Sequence, residues 1–193
     1  MKPNILMIIL CLLSVFVSSC FERKTIRLEL WDVSKQMIPY EIGKNYRFID
    51  LFDQSFVMTV TEDTTYWEVM DEYSGGHFSW QQLRDVKLQS NSSNFDVGLQ
   101  INSGGGIWVT IYSHATLHFS LNYDKKGNFY IADYYNYGDI YDSLDINGKT
   151  YYDVAESIST SIYVGVKRAL LYNKTYGILQ VSDEGETLFT INN

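Results

Sequence analysis

Three histidines, His77, His114 and His118, supply all the imidazole in the chain. Two of them stand four residues apart in "SHATLHFS", a spacing that chelates a metal ion when a helix brings both rings onto one face. Here they fall on the polar side of an alternating pattern, where four extended residues span about 13 Å, too far for one ion to bridge. A second candidate, "NYDKKGNFYIAD", sets Asn122, Asp124, Gly127, Asn128 and Asp133 near the ligand positions of a calcium loop. Lys126 occupies the fifth position, which needs an oxygen, and Asp133 stands where a bidentate Glu is usual. A β-turn over Asp124 to Gly127 accounts for the same residues.

Acid–base chemistry has one candidate, the carboxylates Asp139, Asp142 and Asp145 in "YGDIYDSLDING". Two such groups at a suitable separation hydrolyse a glycosidic bond, but spacing along a loop does not set a distance in space. The G-x-S-x-G setting of a serine nucleophile is absent. The run "SGGG" from Ser103 lacks the Lys-Ser/Thr of a phosphate loop, and reads as a flexible lead into a strand. No metal, no cofactor and no enzymatic activity are expected.

Tyrosine is the more suggestive residue. Tyr123, Tyr130, Tyr134, Tyr135, Tyr137, Tyr141, Tyr151 and Tyr152 crowd thirty positions. The ring gives large, stiff contact area with a polar tip, suited to sugar or protein recognition, although tyrosine also favours strands for packing alone. The loop "DYYNYGDIYD" sets acceptors beside rings, so Tyr134, Tyr135, Tyr137 and Tyr141 are the expected ligand-binding residues. Asp142-Ser143-Leu144 resembles the three-residue O-glycosylation motif of Bacteroidetes, in which the Ser143 hydroxyl would carry the glycan.

The segments that must position these groups begin with a leader. Lys2 precedes "ILMIILCLLSVFV", shorter than the ~20 apolar residues of a spanning helix and followed by small residues, the pattern of a secretory signal. Val17-Ser18-Ser19-Cys20 resembles the bacterial lipobox, which implies cleavage before Cys20, diacylglycerol on its thiol and a fatty acid such as palmitate on its amine. The expected organisation is a signal peptide over 1–19, a lipidated N-terminus and tether over 20–27, and one domain over 28–193. A leader of 19 taken from 193 residues leaves 174, enough to bury a core in one domain. Cys11 and Lys2 leave with the leader, so the domain must stand without a disulfide and its formal charge moves from −8 to −9. That balance argues against tracking nucleic-acid phosphates, and membrane attachment would come from lipid.

In "GIWVTIYSHATLHFSLNY", Ile107, Val109, Ile111, Leu117, Phe119, Leu121 and Tyr123 alternate with Trp108, Thr110, Tyr112, His118 and Ser120. Period-2 alternation with one wet face predicts antiparallel strand, and the length predicts two strands with a turn near Ser113 to Ala115. Shorter alternations recur at Ile26–Leu30, Tyr46–Phe48, Phe56–Val60 and Phe95–Ile101, separated by turn residues such as Phe52 to Ser55 and Asn91 to Asn94. Asn147-Gly148 is a strong hairpin signal. The stretch "TYWEVMDEY" from Thr65 suits helix or strand, and "VAESIS" from Val154 suggests a short helical turn. The fold class expected is all-β with minor helix: a single antiparallel meander in a strongly curved sheet, half-barrel or barrel-like, with a sandwich as the alternative.

At "MIPYEIGKNYRFID" and again at "DINGKTYYDVAES…LLYNKTYGILQVSDEGETLFTI" the chain resembles small envelope lipoproteins of gut Bacteroidetes. The resemblance implies a β domain held at the cell envelope, at the outer membrane, through its N-terminal lipid. "CFERKT" offers only Glu22 as an acidic signal for surface export, so periplasmic and outward faces both stay open. The expected function is a non-enzymatic binding module for envelope glycan or protein. The alternative is a carrier holding a lipid or hydrophobic ligand inside a curved sheet.

Overall fold

In a computed structural model, the structure describes residues 25–73, 77–91, 95–113, 116–131, 138–160 and 167–192. Thirteen strands and one short helix occur among them, in the order β1 (Ile26–Leu28), α1 (Ser34–Met37), β2 (Asn45–Asp50), β3 (Ser55–Tyr73), β4 (His77–Ser90), β5 (Asp96–Asn102), β6 (Gly106–Tyr112), β7 (Leu117–Tyr123), β8 (Phe129–Tyr130), β9 (Ile140–Ile146), β10 (Lys149–Thr160), β11 (Lys167–Asn173), β12 (Gly177–Asp183) and β13 (Glu186–Ile191). Every neighbouring pair is antiparallel except β1 with β4. The sheet runs β8-β7-β6-β5-β4-β3-β2-β13-β12-β11-β10-β9 and curls into a nearly closed barrel with a seam.

Local chemistry sets the corners. Ile146 faces Lys149 across Asn147 and Gly148, whose φ of 51° and 77° make the two-residue turn that matches the strand twist. Asp183 faces Glu186 in the same way across Glu184 and Gly185. The turn after β7 is held by Asp124, whose carboxylate accepts from the backbone N–H groups of Lys126 and Asn128. These bonds, that from Asn128 first, hold its pKa below the usual carboxylate range, and the Gly127 N–H donates back to the Asp124 carbonyl, so Asp124 to Gly127 form the expected β-turn. The expected break after Tyr112 is present, with β6 and β7 as separate strands.

One face of the sheet is apolar and turned inward. Leu117, Phe119 and Leu121 join Ile107, Val109, Ile111, Val97, Leu99 and Ile101 in a continuous buried cluster that extends through Val60, Met58 and Phe56 to Phe189 and Val181. Burying each such side chain contributes about 1.5–3 kcal/mol, and together they offset the entropy of ordering a long meander. At the end of the barrel away from α1, Phe189 packs on Phe48, Phe56 and Phe95 with ring centroids 5.1–5.9 Å apart.

The other end is stoppered by the chain's own N-terminal segment. Ile38 is extended, as the clash with the ring of Pro39 demands, so α1 stops at Met37 after four residues. Met37, Ile38 and Tyr40 sit in the core. Tyr123 Oη donates to Ser34 Oγ at 2.7 Å, Tyr172 Oη to the Met37 carbonyl at 2.6 Å, and Ile178 N–H to Tyr40 Oη at 2.7 Å. Arg84, paired bidentately with Asp63, also donates to the Lys35 carbonyl. This helix is not among the sequence expectations, because it is held by partners 49 to 135 residues away.

Two expectations need correction or decision. Val154 to Ser159 are not a helical turn but part of β10, since Val154 pairs with Tyr141 on one side and Asn173 on the other. Thr65 to Tyr73 are strand, the outer part of β3. Bulges between Val60 and Glu62 and between Val69 and Asp71 let this 19-residue strand twist along its length.

Candidate functional site on the outer face of β4 to β6

The pairing register builds three rows across the outside of the barrel. Lys87, Gly98, Thr110 and His118 lie side by side, as do Asp85, Gln100, Trp108 and Ser120, and as do Asp96 and Tyr112. Trp108 and Tyr112 are four residues apart on β6 and so about 13 Å apart along the strand. Gly98, on the adjacent strand, has no side chain to fill the space between them. The Tyr112 ring leans over it: a Cβ at Gly98 would sit 3.6 Å from Tyr112 Cε2. The result is a groove of about 210 Å³ lined by these aromatic rings and by Asp85, Lys87, Gln100 and Thr110.

Both rings are open to solvent, Trp108 at 42% and Tyr112 at 51% exposure. The polar groups around them are oriented by one another. Tyr66 Oη donates to Asp85 Oδ2 at 3.0 Å, and Gln100 Nε2 donates to Asp85 Oδ1 at 2.9 Å and to Tyr66 Oη at 3.2 Å. Burial, then the Asp85 carboxylate, raises the Tyr66 hydroxyl above its ordinary pKa and keeps it a donor. Lys87 pairs with Glu62 at 2.5 Å, which raises the ammonium's pKa and lowers that of the carboxyl. Two open ring faces with pre-oriented polar groups between and beside them suit a ligand with an apolar face and many hydroxyls.

The residues expected from sequence fall elsewhere. Cys20, His114, Asp133, Tyr134, Tyr135 and Tyr137 lie outside the described residues. Tyr141 is on β9 and donates to Glu156 Oε2 at 2.9 Å; burial first, then Glu156, pushes its hydroxyl up to about 12. Ser143 is exposed on β9, an edge strand, so its hydroxyl is accessible to a modifying enzyme. The rest of the tyrosine cluster divides. Tyr123 and Tyr151 are buried, whereas Tyr130 and Tyr152 are exposed. His118 faces outward and shares a 3.3 Å hydrogen bond with Thr110 Oγ1. No group of three or more metal-ligating side chains occurs among the described residues.

A larger hollow, about 780 Å³, lies between the β9–β10 turn and the strands β2, β13 and β12. Its rim carries Asp50, Asp53, Glu186 and Lys149, and its one aromatic ring, Tyr151, is buried against Tyr176. It therefore offers charge without an open ring face. The groove at Gly98 has signals in the sequence: an isolated glycine inside a strand pattern, and two large rings on the wet face of β6.

No protein-family model matches the chain, and no curated protein or solved structure matches it.

Proposed function

We propose that this chain is a lipid-anchored binding module of the bacterial cell envelope, of the kind its sequence resembles in Bacteroidetes, and that it holds envelope glycan in the groove between Trp108 and Tyr112 without converting it. The observation that carries the reading is the pairing of two open rings with a bare Gly98 between them. Sugar rings present a face of C–H groups that stacks on an aromatic ring, while their hydroxyls need donors and acceptors at the edge. Asp85, Gln100 and Lys87 stand at that edge. Val17-Ser18-Ser19-Cys20 supplies the anchoring half of the reading.

Affinity electrophoresis of the detergent-solubilised lipoprotein through gels containing neutral polysaccharides tests it. Retardation by at least one polysaccharide is expected, and Trp108→Ala should weaken it at least ~10-fold, which corresponds to about 1.4 kcal/mol. Equal retardation of wild type and Trp108→Ala, or none in a broad panel, would overturn the assignment. Capture of a protein on the same groove, lost in Trp108→Ala, would replace glycan by protein as the ligand.

A further inference from the structure

Beyond the barrel rim the β3–β4 ribbon continues as an arm. β5 stops pairing at Leu83, which faces Asn102, yet β4 extends back to His77 and β3 out to Tyr73. Six residues of strand, His77 to Gln82, carry it about 20 Å past the rim. The arm is apolar for a solvent-facing element: Trp67, Val69, Met70, Ile26 and Leu28 are all exposed, Met70 at 46% and Ile26 at 54%. Trp67 and Val69 lie on one face of the ribbon and Ile26 and Leu28 on the other, and open apolar faces of this kind mark contact with a partner or a membrane.

The register of β1 indicates which. β1 runs parallel to β4, with Ile26 opposite Ser79 and Leu28 opposite Gln81. The chain therefore enters at the outer end of the arm, runs toward the barrel, donates from Leu30 N–H to Gln82 Oε1 at 3.1 Å, and then stoppers the barrel mouth. Cys20 precedes Ile26 by six residues, which reach at most about 20 Å. A lipid on Cys20 thus holds the outer end of the arm within that distance of the bilayer. Along the arm Trp67 pairs with Gln82 next to the rim and Val69 with Trp80 midway, with Asp71 and Glu72 further out. Arg27, Trp67, Val69 and Trp80 share one face by pairing, and the Arg27 guanidinium lies 5.8 Å from the Trp67 ring centroid. Tryptophan beside a cation is the composition of the membrane–water boundary, where amphipathic rings sit at headgroup depth and arginine meets phosphate. Glu68 alternates to the opposite face, together with Ile26 and Leu28.

We infer that the β1–β3–β4 arm docks on the lipid surface itself by the face that carries Arg27, Trp67, Val69 and Trp80, so that the stoppered end of the barrel is turned toward the bilayer. The inference rests on the anchoring half of the proposed function and not on the glycan groove. The groove lies past the rim on the barrel wall, which leaves it free.

The test uses the full lipidated protein reconstituted in phosphatidylcholine/phosphatidylglycerol vesicles with acyl chains brominated near the headgroup, and reads quenching of tryptophan emission. Two of the four tryptophans, Trp67 and Trp80, are on the arm, with Trp31 at the stopper and Trp108 in the groove. Wild type should be quenched. Trp67→Phe should roughly halve the quenched intensity, given that boundary rings sit within reach of shallow bromines, whereas Trp108→Phe should remove only unquenched light. Val69→Ser with Met70→Gln, at positions already exposed, should make the remaining quenching shallower without touching the core. Mass spectrometry of the same sample separates the two failures. Lipidated Cys20 with unquenched tryptophans overturns the docking while the anchor stands, and would mean that a protein covers the arm. An unmodified Cys20 overturns the anchor and the docking together.

Discussion

Aromatic residues are used in two opposite ways at the stoppered mouth and on the outer face of the same barrel. Tyr40, Tyr123 and Tyr172 at the mouth are fully buried, and each hydroxyl is bonded to a group within the chain. Trp108 and Tyr112 outside are about half exposed, and the space between them is kept open by a glycine. At the mouth, ring area is consumed by the protein's own N-terminal segment and contributes to stability. On the outer face the same area does little for the fold, and in the proposed function it is what a ligand would cover. Substitutions at the mouth should therefore move stability and spare the groove, and substitutions in the groove should do the reverse.

The largest effect expected on the mouth side comes from Gly177→Ala. Gly177 has φ of 78°, and an added Cβ would fall 2.3 Å from Tyr40 Oη and 2.4 Å from its Cζ. A left-handed residue costs about 1–2 kcal/mol once it carries a Cβ, and forcing a buried ring aside costs about 1–3 more. A loss of about 2–5 kcal/mol should appear as a lower urea midpoint, with glycan binding by the folded protein unchanged. A wild-type midpoint would mean that the stopper does not hold Tyr40 where the structure puts it.

Tyr40→Phe should cost less, about 1–3 kcal/mol, because it leaves the buried Ile178 N–H without its acceptor. It also carries a pH signature. Burial, the largest cause in each case, raises the pKa of Tyr40, Tyr123 and Tyr172 above the ordinary tyrosine value. The unfolded chain loses these protons near pH 10, the folded chain only higher. Their contribution is present below about pH 10 and declines as pH rises from there toward the folded values. Wild-type stability should fall steeply above pH 10 in denaturant titrations, and Tyr40→Phe should fall with a shallower slope. Parallel slopes would show that Tyr40 keeps an ordinary acidity.

The contrast also explains what could be read from the chain alone. Alternation from Gly106 to Tyr123 was legible because one face is wet and the other dry, and Asn147-Gly148 because a two-residue hairpin demands φ > 0 at both positions. The helix at Ser34–Met37 was not, since four residues have no periodicity and this turn exists through bonds from Tyr123, Tyr172 and Arg84. Val154 to Ser159 carry mixed local preferences that two ladder partners settle as strand. The tyrosine crowding could not separate core from surface: Tyr151 is buried and the next residue, Tyr152, is 67% exposed. Trp108 and Tyr112 were visible on the wet face. That Gly98 lies beside Thr110, between them, needed the register.

The smallest expected change in stability, and the sharpest separation of the two regions, comes from Gly98→Val. Gly98 does not have positive φ, and a Cβ there meets only Tyr112 at ordinary contact distance. Valine suits a strand better than glycine, which loses more chain entropy on folding, so the variant should match or exceed wild-type stability by up to about 1 kcal/mol. Its two methyl groups would fill the space beside Tyr112 where the proposed sugar would lie, and retardation by polysaccharide should vanish. A variant that gains stability and loses binding cannot be explained by unfolding. If Gly98→Val instead kept full retardation, the rings of Trp108 and Tyr112 would be exposed strand residues without a ligand between them.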